Sequence, residues 1–412
     1  MVATHEPSTI ADALAAACSA HSFDTIRMLL EQGDLPALLG AAPGAGSLRG
    51  LRLIQQKHRR DSAALLIAAE LAGRRGEIET HELVLRYTRA ARTADAWCLP
   101  HDPELPGLAR LGTHPGACAT LAWDADWPGA GSRLTLQRLL YNPGQRATFE
   151  LTTASPARRY ILKLLRADAF ASSRARQLLL QHSGLGTQIT LPRLIAGAPR
   201  DGALLYEFLP GQTIAQLDAY HNRPADPPLC DAIARTLVAI HASAPAGLPC
   251  WDGPGECART RSMIADIPAH CADTALAALA QIEARLQPIA GRPHTGLIHT
   301  DFSARNVLYH RARPDTSPAL AVIDWDSAAL GPPEKDLASW LSPAGRQADG
   351  PALFAAYARH GGTPIDQSLV DLFVQHQRLL KACRRLLSGR YSPAKTNAIV
   401  QAITGQPASC PR

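Results

Sequence analysis

The 412-residue sequence predicts an α+β protein, with antiparallel strands in its first half and mainly helices in its second. Three observations carry that expectation. Strand-like apolar segments gather between Leu51 and Phe208, helical periodicity dominates beyond Gly211, and one β-rich island, Gly296 to Asp326, interrupts the helical part. A single core stops growing at about 250 to 300 residues, so two or three domains are expected.

Residues 8 to 32 carry Ile10, Leu14 and Cys18, then Ile26, Leu29 and Leu30, at helical spacing; a Pro-, Gly- and Ala-rich stretch follows through Gly50. Leu51 to Ile54, Ala63 to Ala69 and Glu82 to Tyr87 then read as strands. Between Trp97 and Gly131, Pro100, Pro103, Pro106, Pro115 and Pro128 mark a connection. A second strand-rich stretch, Leu134 to Leu165, resembles the first. Leu53 to Arg60 lines up with Leu139 to Arg146, and Val84 to Tyr87 with Ile161 to Leu164. The pattern reads as a weak internal repeat of a hairpin plus a third strand, although any two amphipathic hairpins share much of it. Ala171 to Gln181 predicts a helix, while Pro192 to Ala196 and Ala203 to Phe208 predict short strands. Thr213-Ile214-Ala215-Gln216 fits a capping box, and Ile233, Leu237, Ile240 and His241 share one face of a long helix.

Composition narrows the class. With 46% apolar and 19% charged residues the chain is globular. Its net charge of +6 comes from Arg interleaved with Asp and Glu, without the basic runs of nucleic-acid tails, so no nucleic-acid partner is expected. A mild positive balance also suits anionic small molecules such as nucleotides. Nine cysteines, an odd number without a C-x-x-C pair, read as reduced thiols and not as a zinc site or disulfide framework. No apolar run approaches the roughly 18 residues of a membrane span, and the N-terminus, with Glu6 and Asp12, lacks the basic region of a signal peptide. A cytoplasmic protein without a membrane partner is the expectation.

The chemistry gathers in the β-rich island. Leu297 to Tyr309 sets His299, Asp301 and Asn306 on a polar loop between two apolar ends, and Leu320 to Asp326 puts Asp324 and Asp326 at the end of a third apolar run. If those runs pair as strands, Asp301, Asn306 and Asp324 converge. The mixture suits phosphoryl transfer, in which a carboxylate accepts a hydroxyl proton while an amide oxygen and a second carboxylate hold Mg²⁺ against a triphosphate. Lys163, alone among apolar residues on Tyr160 to Leu165, calls for an anionic partner if it points inward, and a phosphate is a natural one.

The run His299-Thr300-Asp301-Phe302-Ser303-Ala304-Arg305-Asn306-Val307-Leu308, then Val322 to Asp326 and Gly331 to Ala338, resembles the signature of aminoglycoside phosphotransferases and their choline-kinase-like and maltokinase-like relatives. Leu139 to Arg146 looks like that family's first hairpin, Tyr160 to Leu165 its lysine strand and Leu204 to Gly211 its interlobe hinge; the likeness covers about residues 134 to 390. It implies a protein-kinase-like two-lobed fold: an N-terminal helix and β-rich cap (1–130), a nucleotide-binding N-lobe (131–210) and a catalytic, substrate-binding C-lobe (211–412). It further implies an ATP-dependent kinase with a small-molecule hydroxyl acceptor such as a sugar, aminoglycoside or amino alcohol. Asp301 would be the base, His299 would orient the catalytic loop, and Asn306 and Asp324, with Asp326 assisting, would hold Mg²⁺. Lys163 would meet the nucleotide phosphates, Glu207, Phe208 and Leu209 would line the adenine edge, and Arg146 would add charge to the hairpin lid. Asp336 reads as a brace for the loop.

Three departures stand out. The family usually has Gly where this chain has Thr300, a β-branched residue that disfavours unusual backbone angles, so a slightly altered loop is expected. The stretch from Ser172 to His182 has no acid to hold Lys163, and Gln177 stands nearest that place; no glycine-rich run precedes the lysine strand. Thr300 and Gln177 favour the rival reading, a catalytically inactive nucleotide-binding scaffold. The cap resembles the front section of maltokinase-like proteins; read as a degenerate copy of the nucleotide lobe, it has Arg86 at the lysine position and a structural or gating role. Arg378, Lys381, Arg384 and Arg385 in the helical half offer charge to an anionic acceptor, although solvated helix faces are commonly charged.

Overall fold

The computed structural model describes residues 11–16, 26, 48–58, 62–72, 77–88, 93–112, 118–119, 121–125, 132–217, 227–267, 269–290, 296–310, 319–342 and 347–387. Most of the helix expected over residues 8 to 32 lies outside them. Two compact units result, Met1–Phe170 with Ile195–Leu205, and Ala171–Leu194 with Tyr206–Arg412.

The first unit holds two antiparallel sheets. Strands β1 (Leu48–His58), β2 (Ser62–Ala72), β3 (Ile78–Thr88) and β4 (Thr93–Cys98) pair in sequence order. Successive strand residues face opposite sides, and β2 is apolar on both. Leu65, Ile67, Ala69 and Leu71 pack with Leu83, Leu85, Leu14 and Ile26, whereas Leu66 joins Val84 and Trp97 in a second core. Where the sequence predicts a bare connection, helix α1 (Pro106–Leu111) forms instead, with proline in its first turn, where no amide hydrogen bond is lost. Its Leu108 and Leu111, with Leu105 before it, fill the same second core.

Strands β5 (Leu134–Asn142), β6 (Arg146–Ala154) and β7 (Ala157–Leu165) lead into helix α2 (Ala167–His182), and β8 (Leu194–Ala198) and β9 (Ala203–Glu207) complete a sheet of order β5-β6-β7-β9-β8. Both sheets open with three antiparallel strands of equal length. In both, a bulge interrupts the first pairing, between Leu53 and Gln55 in β1 and between Arg138 and Leu140 in β5. The residues left unpaired, Ile54 and Leu139, are exposed large apolar side chains (41% and 50%). A bulged hairpin plus a third strand thus occurs twice, although the unpaired residue of β1 is Ile54, one position beyond the Leu53 that the sequence match sets against Leu139. Leu134, Phe149, Leu162, Leu164 and Leu205 share the core already occupied by Leu66, Val84 and Trp97, so the N-terminal sheet is packed into the unit and not tethered to it.

The second unit is mainly helical. Strand β10 (Gln212–Thr213) precedes α3 (Pro227–His241), α4 (Gly253–Ile264) and α5 (Ala269–Ala290). The short strands β11 (Leu297–Ile298), β12 (Val307–His310), β13 (Ala319–Val322) and β14 (Ala329–Leu330) come next, then α6 (Glu334–Leu341), α7 (Gly350–Arg359) and α8 (Gln367–Leu387). The capping box is present at Thr213 but opens only a short 3-10 turn, Ile214–Gln216. β10, β12 and β13 form one small sheet, β11 and β14 another. Seven cysteines fall among the described residues and all are free thiols. No helix among them is long and apolar enough to cross a membrane.

Two polar pairs are embedded where α4, α6 and α8 meet. Lys335 donates to Glu256 at 2.8 Å and lies 5.8 Å and 5.5 Å from the Trp251 and Phe373 ring centres. The Thr260 hydroxyl donates to the Glu256 carbonyl, so the 2.9 Å contact from His376 Nε2 is an N–H donated by a neutral ring. Burial pushes the His376 imidazole down to about 4. The unfolded chain, in which histidine titrates near 6.5, therefore takes up its proton first. Stability from this group is complete above that value and is lost as pH falls toward 4. By urea unfolding, the wild type should lose about 2 kcal/mol more between pH 6.5 and 4.5 than His376→Gln, whose side chain does not titrate; equal losses would remove His376 as the source.

Candidate active site

The register of the small sheet places the polar loop. Val307 on β12 pairs with Val322 on β13, and one residue beyond, Ile323 N–H donates to the Asn306 carbonyl at 2.9 Å. Asn306 and Asp324 therefore lie at adjacent strand ends. The Asn306 amide nitrogen donates to the Asp301 backbone carbonyl at 2.9 Å and to its Oδ2 at 3.0 Å. The amide oxygen is left as the face that Asn306 can offer to a cation. Asp301 is exposed at the head of the loop, whereas Phe302, Ala304 and Val307 anchor it in the core.

Thr300 and Asp324 are the non-glycine residues with positive φ among those described, at +69° and +66°. Such angles cost a β-branched residue about 1 to 3 kcal/mol and persist only where surroundings enforce them. Asp336 does the enforcing at Thr300. Its fully buried carboxylate accepts from His299 N–H at 2.7 Å and from Thr300 N–H at 2.8 Å. The Thr300 hydroxyl adds a 3.2 Å bond to the Ser327 carbonyl. Threonine thus adopts a backbone conformation that glycine reaches without strain. Asp324 takes its left-handed turn at the end of β13, opening the 3-10 turn Trp325–Ser327.

His299 is fully buried. Its Nε2 is 3.0 Å from the Ile323 carbonyl, which fixes the proton there, and its ring packs edge-on against Trp325 at 4.6 Å. It thereby ties the Asp301 loop to the residue before Asp324, a position suited to orienting and not to touching a substrate. Behind Asp336, His241 Nε2 lies 3.4 Å from the same carboxylate while its Nδ1 meets the Tyr357 hydroxyl at 2.8 Å. The Asp326 carbonyl accepts from Arg176 at 2.8 Å. Gln177, which stands where a helix acid was sought, donates instead to the Pro192 carbonyl at 2.6 Å.

In the first unit, Lys163 lies buried on β7 opposite Thr148, and Arg146 opens β6. The turn between β5 and β6 passes through Gly144 at φ +64°, where a Cβ would come within 3.2 Å of Arg86 Nη1. Asp102 grips that turn. One of its oxygens accepts from Gly144 N–H at 2.8 Å and from the Tyr141 hydroxyl at 2.7 Å; the other takes Glu104 N–H at 3.0 Å. Burial and this carboxylate together push the Tyr141 phenol well above its usual range. Nothing in a proline-rich stretch marked Asp102 in advance. Arg86, the cap's counterpart of Lys163, is taken up by Glu104 and Asp95 at 3.1 Å and 3.2 Å. Along 207–209, Glu207 N–H donates to the Arg193 carbonyl at 2.8 Å.

A family model described as the phosphotransferase enzyme family matches residues 140–372. No curated protein matches the sequence. Among solved structures, the chain is similar to an amicoumacin kinase, hAmiN, in complex with AMP-PNP, Ca²⁺ and Ami, with 14% identity, a TM-score of 0.51, and 66% of this chain and 88% of that one covered. It is also similar to the choline kinase LicA from Streptococcus pneumoniae, with 16% identity over 66% and 92% of the two chains and a TM-score of 0.47. An ADP-bound aminoglycoside phosphotransferase, APH(2'')-Ib, gives 15% identity over 66% and 92%, with a TM-score of 0.44. The α+β, protein-kinase-like fold expected from the sequence is the fold of the protein.

The loop's dependence on Asp336 is measurable by denaturation. Asp336→Ala strands two buried N–H groups and should cost about 3 kcal/mol or more, each orphaned donor costing about 1 to 3. Thr300→Gly, which relieves the left-handed strain at the price of a more flexible unfolded chain, should change stability by less than about 1 kcal/mol. A Thr300→Gly protein destabilised as much as Asp336→Ala would show that the threonine hydroxyl, not the carboxylate, holds the loop.

Proposed function

Because the chain belongs to the phosphotransferase enzyme family, whose model spans more than half of it, we propose that it transfers the γ-phosphate of ATP to a hydroxyl of a small polar molecule. One observation carries this reading: Asn306 holds the Asp301 carboxylate through its amide nitrogen while its own carbonyl accepts the N–H next to Asp324. Base and candidate metal ligands are thereby fixed by one residue.

Asp301 accepts the acceptor's hydroxyl proton. Its Oδ2 is already oriented by Asn306, and the carboxylate is exposed, so a hydroxyl can reach it. The Asn306 amide oxygen and the Asp324 carboxylate form a hard-oxygen pair at neighbouring strand ends, the donor type Mg²⁺ takes when it also binds phosphates. Asp326, two residues on, is the additional carboxylate. When bound, Mg²⁺ neutralises charge on the triphosphate. His299 and Asp336 position the loop and donate nothing to the substrate. Lys163 supplies a cation for the phosphates, and the Glu207 carbonyl, Phe208 and the Leu209 N–H offer an edge to the adenine. Arg146 adds charge beside the β5–β6 turn.

The regions 1–130, 131–210 and 211–412 serve as cap, nucleotide lobe and catalytic lobe in this reading, in a cytoplasmic protein. Asp102 gives the cap a defined task, to set the height of the turn that covers the nucleotide phosphates. The inactive-scaffold alternative leaned on Thr300, and that support weakens once Thr300 is found in the glycine-like conformation.

Asp301→Asn should lower ADP release, with an acceptor found by screening hydroxylated metabolites, by about 10² to 10⁴, while binding of a fluorescent ATP analogue persists. Unchanged turnover would exclude Asp301 as base. Asp324→Ala should weaken Mg·ATP binding and shift its metal dependence, and an unaltered magnesium titration would exclude that ligand. Asp102→Asn loses a charge-assisted bond worth about 1.5 kcal/mol, equivalent to about tenfold in the KM for ATP. A KM unmoved in a folded protein would leave the cap no part in nucleotide binding.

A further inference from the structure

The interleaving of positive and negative charge along the sequence stops at Asp371. Residues 372–412 contain seven Lys and Arg and neither Asp nor Glu, whereas the rest of the chain, with 35 basic and 36 acidic residues, is close to neutral. The net charge of +6 therefore belongs to the C-terminal stretch, and the described part of that stretch is the second half of α8.

That half of α8 is fastened to the catalytic loop. Gln377 Nε2 donates to Ser339 Oγ at 2.6 Å, and Ser339 Oγ in turn lies 3.5 Å from the Thr300 carbonyl, next to Asp301. One turn on, Lys381 Nζ donates to Ser342 Oγ at 2.9 Å. Arg378, Lys381 and Arg385, spaced at three and four residues, form one stripe of the helix. Arg305 joins them from the loop itself, between Asp301 and Asn306, and is exposed. Among the described residues neither Arg305 nor Arg378 has a carboxylate partner. Asp371, the one acid on α8, lies ten residues before Lys381, about 15 Å along the axis. Burial and the charges of Arg305, Arg385 and Arg378 push the Lys381 ammonium below its usual range, and Asp301 acts in the opposite sense.

Arg305, Arg378 and Arg385 repel the Lys381 ammonium, which also feels Asp301, and this positive cluster disfavours an amine-bearing molecule there. A molecule with its own negative charge relieves that repulsion while its hydroxyl meets Asp301. Resting on the phosphotransferase reading of this same cluster, we propose that the acceptor carries a carboxylate or phosphate group, bound by Arg305, Arg378, Lys381 and Arg385 beside Asp301. Guanidinium groups grip such anions through paired N–H donors. In the transfer the acceptor oxygen forms a bond to the γ-phosphorus as its proton passes to Asp301. The bond from the γ-phosphorus to the bridging oxygen breaks, and its electron pair leaves with ADP. The anionic group makes and breaks no bond. Sugar acids and sugar phosphates, not aminoglycosides or amino alcohols, are the class that fits.

The test uses the full chain and two readouts. Acetylation of Lys381 by an N-hydroxysuccinimide ester, read by mass spectrometry, is compared in the presence of glucose, glucosamine, gluconate and glucose 6-phosphate. At least one of the two anions should slow the reaction by about threefold or more, as occupancy of a site does, while glucose and glucosamine leave it unchanged. Arg378→Ala/Arg385→Ala should abolish the difference. Absence of protection by either anion, or equal protection by the neutral or amine sugar, overturns the proposal. In the ADP-release assay the better substrates should be the anionic compounds, and the double variant should raise their KM by about tenfold, the loss of one charge-assisted bond, with the KM for ATP within about twofold. Preference for an amine overturns the proposal as well. Protection by an anion without ADP release from any compound leaves the anion site standing and counts against the transferase reading instead, so the two failures are distinguishable.

Discussion

The Asp301 loop depends on a buried carboxylate that never meets a substrate in the proposed reaction. Asp336 is fully buried, and burial of an ion is costly unless donors surround it. Here His299 N–H, Thr300 N–H and His241 supply them. Those two N–H groups belong to successive residues, so the carboxylate dictates the backbone as well as satisfying it. The left-handed Thr300 follows, and with it the direction in which Asp301 leaves the loop. Three helices back the arrangement: α6 carries Asp336, α3 carries His241, and α7 carries the Tyr357 that holds His241 from the other side. A strained residue at the head of a functional loop is tolerable because the core behind it is rigid.

How much of this was legible in the sequence depended on separation along the chain. Asp301, Asn306 and Asp324 lie within two dozen residues, bracketed by apolar runs whose pairing requires only that they be strands, so their convergence could be read directly. The segment Ala63 to Ala69 likewise read as a strand, and it lies within β2. Helix α1 was hidden because proline both interrupts helices and begins them, and composition does not separate the two uses. Asp102 was hidden for another reason. It reaches across about forty residues to Tyr141 and Gly144, and no local pattern records a partner that distant. Gln177 illustrates a third case: the missing acid was correctly noticed, but whether glutamine takes over an acid's role or turns to a carbonyl is decided by packing alone.

The duplicated sheet shows what remains of a strand architecture when its chemistry is absent. β1 to β3 repeat the order of β5 to β7 in strands of eleven residues against nine, and Arg86, which the sequence match sets against Lys163, is neutralised by Asp95 and Glu104 and lies over Trp97 at 5.2 Å. A guanidinium so engaged is structural. Because the two sheets share a core, the first cannot be removed without exposing Leu134, Phe149 and Leu162. Beyond that shared core, Asp102 holds the β5–β6 turn through the Gly144 N–H and the Tyr141 hydroxyl.

A kinase that phosphorylates an anion must bring a second negative charge toward a triphosphate. Two unit charges about 8 Å apart repel by about 0.5 kcal/mol in water and about 2 kcal/mol at an effective dielectric constant of 20. A nucleotide with several charges multiplies that cost, and the carboxylate of Asp301, the proposed base, adds to it. Magnesium offsets the part nearest the phosphates and cannot serve the far side of the acceptor. Basic residues placed there can, provided that no carboxylate of the protein consumes them first. No acid follows Asp371 in the sequence, so the second half of α8 supplies none of its own to the basic stripe. The chain is thus nearly neutral over its first 371 residues, and four of the seven basic residues beyond them, Arg378, Lys381, Arg384 and Arg385, sit on the helix that Gln377 and Lys381 fasten beside the Asp301 loop, where the proposed reaction would bring two anions together.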